Sequence, residues 1–139
     1  MRKIVLIMAL ALCLSAGEQG IILDNKTGLA WQDDYGDNAG EIKKATWQDA
    51  LVYCHELRLG GRSDWRLPNI KELRSIVDRS RFDPAIDSAF TNVSSNVYWS
   101  STTNVSDSSY AWLVYFNVGY DYWYSKTDEL RVRCVRGGQ

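Results

Sequence analysis

Thr46-Trp47-Gln48-Asp49-Ala50-Leu51-Val52-Tyr53-Cys54-His55-Glu56-Leu57 is the stretch on which the fold turns. Trp47, Ala50, Leu51, Cys54 and Leu57 recur at the three- and four-residue spacing of a helix and form one apolar face. Gln48, Asp49, His55 and Glu56 fall largely off it. Thr46 with Asp49 three residues on resembles a capping box, with Asp where Glu is more usual, and Gly60-Gly61 supplies the stop. Cys54 therefore points into a core. At the far end of the chain stands a second cysteine, in Leu130-Arg131-Val132-Arg133-Cys134. Read as a strand, this segment puts Leu130, Val132 and Cys134 on one face and Arg131 and Arg133 on the other.

Whether the two cysteines pair depends on the N-terminus. Arg2 and Lys3 precede an uncharged apolar run, Ile4 to Leu14, and Ser15-Ala16-Gly17 follow. This is the layout of a signal peptide over residues 1–16, and the run is far short of the roughly 20 residues that span a bilayer. Leu12 stands where a lipobox needs a small residue, so Cys13 is read as part of the leader. Cleavage leaves two cysteines in an exported chain, Cys54 and Cys134, which reads as one disulfide. The expected organisation is a single domain over residues 17–139, lying in the periplasm, on the cell surface or outside the cell, with no membrane span after cleavage.

Between the cysteines the chain alternates short elements with turns. Ile21-Ile22-Leu23, a turn through Gly28 and Leu29-Ala30-Trp31 suggest an N-terminal hairpin. Asp33 to Gly40 reads as an acidic loop. Pro68 holds Leu67 out of the helical region. Asn69 and Glu72 then make a capping box for a second helix, with Ile70, Leu73, Ile76 and Val77 as its buried face. Arg79 to Asp87 reads as a loop around Pro84. The last third is strand-rich: Val97 to Thr102, then Ala111 to Val118 with Trp112, Val114, Phe116 and Val118 on one side, then Tyr120 to Tyr124. The fold class is α+β, two helices packed on a small antiparallel sheet with one disulfide.

Composition narrows the function. The 139 residues include 6 Trp, 8 Tyr and 3 Phe, a balance suited to a compact β-containing domain rather than to disorder. The full chain carries 16 basic and 17 acidic residues, and loss of Arg2 and Lys3 leaves 14 basic residues and a net charge of −3. A dominant basic face for nucleic acid is therefore not expected, and Arg131, Arg133 and Arg136 read as solvated strand edges rather than a patch. Two cysteines and the single His55 do not furnish a closed zinc site without carboxylate help. Asp107, Asp121, Asp128 and Glu129 are too dispersed to read as a calcium cage.

Four blocks in order carry a resemblance: Trp47-x-x-Ala50-x-x-x-Cys54-x-x-Leu57, Asp64-Trp65-Arg66-Leu67-Pro68-x-x-x-Glu72-Leu73, Tyr98-Trp99-Ser100-Ser101, and Val132-Arg133-Cys134-Val135-Arg136. With Thr27-Gly28-Leu29-Ala30-Trp31 they resemble the Lcl C-terminal domain family, the domain that ends a bacterial collagen-like adhesin. The resemblance covers Gly28 to Gly137. It implies a C-type-lectin-like fold in which a cysteine of the first helix pairs with one of the last strand, and kinship with formylglycine-generating enzymes. No Gly-x-y collagen tract is present to drive trimerisation, so an oligomer is left open.

In that fold the loops and outer strands before the last strand usually form the binding face. Here they carry Asn104, Asp107, Tyr110, Tyr115, Asn117, Tyr120, Tyr122, Trp123 and Tyr124. Tyr and Trp offer contact area at low entropic cost. The expected function is an exported adhesion module binding a glycan, sulfated or not, or a protein. A structural subunit of a surface complex is the alternative. An enzyme is not expected, since both mature cysteines are used in the bridge and no Gly-x-Ser-x-Gly elbow exists. No cofactor or metal is expected. Tyr122 and Trp123 alternate on a regular strand, so at least one is expected to be structural.

Overall fold

The computed structural model describes residues 20–138. The leader expected over residues 1–16 lies outside them. β1 (Ile21–Asp24) and β2 (Leu29–Gln32) form the N-terminal hairpin, and β3 (Lys44–Ala45) leads into α1 (Trp47–Glu56) and α2 (Ile70–Ser75). The strand-rich third holds β4 (Val97–Thr103), β5 (Tyr110–Tyr115), β6 (Tyr120–Ser125), β7 (Leu130–Arg131) and β8 (Val135–Gly137). The strands make two sheets, in the orders β1-β2-β8 and β3-β7-β4-β5-β6. This corrects the expected single antiparallel sheet, because the last strand divides: β7 adds parallel to β4, whereas β8 adds antiparallel to β2.

α1 follows its apolar periodicity. Thr46 caps it by accepting a hydrogen bond from the Asp49 amide, and Ala50 and Cys54 are fully buried. The helix stops at Glu56, four residues before Gly60-Gly61. Leu57 turns extended and inserts into the core, and the glycines instead sit in a left-handed turn closed by Leu59 and Arg62. α2 begins with the capping box that Asn69 and Glu72 spell out.

β4 and β5 are covered on both faces. Trp99 and Leu113 pack with Ala50, Cys54, Trp65 and Val132 on the α1 side. Tyr98, Val114 and Phe116 pack with Trp31, Leu73, Ile76 and Phe90 on the α2 side. The alternation read along β5 is thus real, but through Leu113 and Val114 neither side is solvent, and only at Tyr115 does the strand become exposed. β5 ends at Tyr115, and a turn through Gly119 follows. Gly119 has φ +87°, and a Cβ there would lie 2.6 Å from Val77 Cγ1, so the turn packs down only as glycine.

Three links tie the C-terminus to the frame. Cys54 and Cys134 are bonded, 80 residues apart in sequence. Arg66 donates two hydrogen bonds to the Glu72 carboxylate (2.7 and 2.8 Å) and a third to the Gly137 carbonyl (2.8 Å). Arg136 pairs with Asp64.

The third basic residue of this region corrects the reading of the arginines as solvated edges. Arg133 is 1 % exposed. Its guanidinium donates to Asp33 Oδ1 (3.1 Å) and to the Gln32 and Asn92 carbonyls, and it lies 4.7 Å from the Phe90 ring centroid. Asp33, read as the start of an acidic loop, is buried with it. The Asp33 carboxylate also accepts from the Thr91 amide and hydroxyl and from the Asn92 amide.

Burial pushes the Glu72 carboxyl up, but the Arg66 fork and the Asn69 amide more than offset this and hold it below its ordinary value of 4.5. A depressed acid stabilises the fold above its unfolded pKa, and that stabilisation is lost as pH falls through the folded one. Melting temperature is therefore expected to drop on acidification below pH 4.5, and Glu72→Gln to flatten that part of the curve. Calorimetry across the range checks this; an unchanged acid limb in the variant would contradict it.

Candidate functional site

β6 is the outer strand of the five-stranded sheet. It pairs with β5 over six residues without a register shift, Tyr120 opposite Tyr115 through Ser125 opposite Tyr110. Among the described residues nothing pairs with its other edge. The strand carries Tyr120, Tyr122, Trp123 and Tyr124, with exposures of 64, 54, 37 and 38 %, and Tyr115 beside it is 42 % exposed. Large aromatics are ordinarily among the first groups buried, so five of them exposed in one place make this the most unusual surface on the molecule.

Period two puts Tyr115, Tyr120, Tyr122 and Tyr124 on the α1 side of the sheet, and Trp112, Asp121 and Trp123 on the α2 side. On the α2 side Trp123 packs edge-on against Trp112 (5.1 Å between centroids), and Asp121 accepts from Arg74 (2.7 Å). The expectation that Tyr122 or Trp123 would be structural is met only in part, because both remain exposed. Their rings lie parallel, 4.7 Å apart and 6° from coplanar. Tyr124 meets Tyr122 edge-on at 6.2 Å.

The remaining expected site residues are dispersed. Asn104 is buried: its side chain accepts from the Ser106 amide and its amide donates to the Tyr110 carbonyl, so it shapes the β4–β5 loop rather than its surface. Asp107 is exposed but spends its Oδ1 on the Ser109 amide and hydroxyl. These bonds hold the Asp107 carboxyl below its ordinary value. Tyr110 is half-buried. Asn117 sits in the β5–β6 turn and accepts from the Asp83 amide (2.7 Å). The structure thus brings together Tyr115, Tyr120, Tyr122, Trp123 and Tyr124 and separates the others from them.

Two features escape a reading by residue type. Lys126 continues the Tyr120-Tyr122-Tyr124 row, with its ammonium 4.0 Å from the Trp47 ring centroid and bonded to Thr103 Oγ1. With Thr46, Gln48 and Thr127 these residues line an open cleft of about 480 Å³. Only the period-two spacing of Lys126 from Tyr124 hinted at this. Val105 and Phe82 are exposed on loops, and no sequence signal marked either.

These features define a class, a disulfide-closed α+β domain displaying an aromatic edge strand. The family model described as the Lcl C-terminal domain matches residues 20–136, and the chain belongs to that family. A search of curated proteins finds no match. Family membership makes the domain an adhesin-associated module, and together with the disulfide it is consistent with export.

Proposed function

We propose that the chain is an exported binding module of C-type-lectin-like architecture. It recognises a glycan or a protein through the aromatic rows of β6 and has no catalytic role. The observation that carries this is the concentration of five exposed aromatic side chains on and beside one edge strand of an otherwise well-buried frame. A tyrosine row offers ring faces for the apolar side of a sugar and hydroxyls for its edge, and serves a protein partner equally well. The cations nearest to it are engaged, Arg74 by Asp121 and Lys126 by Thr103 and Trp47. That favours a ligand held by contact area over one held by sulfate charge.

The test is a glycan array and a pull-down with the oxidised chain and with Tyr120→Ala, Tyr122→Ala and Tyr124→Ala. For at least one variant, affinity for whatever is bound is expected to fall about tenfold or more, as for a central contact, with little change in melting temperature. Lower melting temperatures with binding intact would refute the reading. Salt separates the ligand classes. Binding that collapses as ionic strength rises identifies a sulfated glycan, and binding that persists identifies a neutral glycan or an aromatic protein contact.

The second reading is a structural subunit of a surface complex. The same exposed edge favours it, since an open strand is itself an assembly device.

A further inference from the structure

We infer that β6 is also a self-recognition edge, through which two copies of this chain pair antiparallel about a two-fold axis at Trp123. The inference rests on the reading of β6 as the recognition surface and adds a specific occupant, a second copy.

Edge strands are normally guarded by lysine, proline, a bulge, short length or a covering element. β6 spans six residues, holds no lysine or proline, and runs without a bulge. Its one charge, Asp121, is paired to Arg74 within the chain. The other edge strands are shorter: β3 has two residues, β8 has three, and β1 has four, ending at Asp24. Both faces of β6 carry exposed aromatics. A ligand lying on one face of the sheet leaves the other face uncovered, whereas an added strand extends both.

The backbone then selects the register. Lys126 N–H donates to the Ser109 carbonyl in the β5–β6 register (2.9 Å). Because antiparallel bonding alternates, Tyr120, Tyr122 and Tyr124 direct their peptide groups to β5, and Asp121, Trp123 and Ser125 direct theirs outward. Two copies can bond only by matching outward residues with outward residues. Centring on Asp121 opposes two carboxylates. Centring on Tyr122 leaves Ser125 beyond the end of the partner strand. Centring on Trp123 engages all three: Trp123 faces Trp123, Asp121 faces Ser125, and Tyr122 faces Tyr124. The tyrosines and tryptophans then form cross-strand aromatic pairs, a favourable class. In the single chain the Tyr122 and Trp123 rings stack on each other, so placing Tyr122 against the partner's Tyr124 on one face and Trp123 against Trp123 on the other separates that stack. Four half-exposed aromatics per copy, at about 150–250 Å² each when fully buried, set an upper limit for the interface with its backbone of roughly 1,000 Å², the range of weak association.

The test is sedimentation of the oxidised chain from about 1 μM to about 1 mM, the range of a weak dimer, with cross-linking by cysteine. A reversible dimer is expected, lost in Tyr122→Lys with the circular dichroism unchanged and kept in Leu23→Lys on β1. Residues facing each other in this register lie with Cα atoms about 5.5 Å apart, within disulfide reach. Trp123→Cys is therefore expected to form a disulfide-linked dimer on oxidation and Tyr122→Cys not to. A monomer at every concentration, or a dimer that survives Tyr122→Lys, overturns the inference. A monomer whose ligand binding still falls in Tyr122→Ala overturns self-pairing alone and leaves the proposed function standing.

Discussion

Replacing Cys54 and Cys134 together by alanine is expected to cost about 4–5 kcal/mol, because the bond closes a loop of 80 residues and the entropy it removes from the unfolded chain grows with loop length. That approaches the whole stability of a domain this size. In melting temperature it corresponds to a fall of roughly 15–25 °C. Both sulfurs lie in the α1-side core at 0 % exposure, so serine in place of alanine adds the cost of a buried hydroxyl. The loss should spread across the C-terminal region, since β7 and β8 flank Cys134 and belong to different sheets. Urea titration followed by far-ultraviolet circular dichroism measures it. A double variant within about 1 kcal/mol of the parent, the scale of an ordinary substitution, would show that noncovalent packing alone fixes the last strand.

Asp33→Ala is expected to be the most damaging single change outside the bridge, at about 3–5 kcal/mol, because it strands the buried Arg133 charge. It also orphans the Thr91 and Asn92 donors that Asp33 satisfies. The remaining carbonyl partners of Arg133 carry no charge, and the Phe90, Tyr98 and Tyr35 rings around the guanidinium replace little of the lost attraction. Arg133→Met fills similar space with an apolar chain and is expected to cost less, because Asp33 keeps three donors. Combined, the two changes should destabilise by less than the sum of the singles, with a coupling of about 1–3 kcal/mol. Chemical denaturation of the four-member cycle measures that coupling. Strict additivity would mean that the pair acts as two independent residues.

The elements legible in the sequence are those set by local chemistry. The apolar face of α1 needs only its own periodicity. The α2 start needs only Asn69 and Glu72, three residues apart. The Tyr120-Asp121-Tyr122-Trp123-Tyr124 run is displayed as its composition suggested, although an outermost strand exposes Tyr122 and Trp123 together, which alternation alone does not foresee. What escaped depends on distant partners. Alternation assigns Arg133 to solvent, but that side of the strand is closed by Asp33, 100 residues earlier, and by the Phe90–Asn92 loop. Asn104 looks like an adaptable binding residue by type. Its amide instead serves its own loop, an alternative use of Asn that a residue list does not distinguish. The division of the last segment into β7 and β8 follows from β2 and β4 each claiming part of it, again a non-local outcome.

Tyrosine nitration of the oxidised chain, mapped by mass spectrometry with and without whatever ligand the array or pull-down yields, bears most directly on the recognition surface. Tyr115, Tyr120, Tyr122 and Tyr124 are expected to react while Tyr35 and Tyr98, both about 1 % exposed, stay unmodified, and bound ligand is expected to protect Tyr122 and Tyr124. Ligand that binds while the β6 tyrosines remain fully reactive would contradict the account.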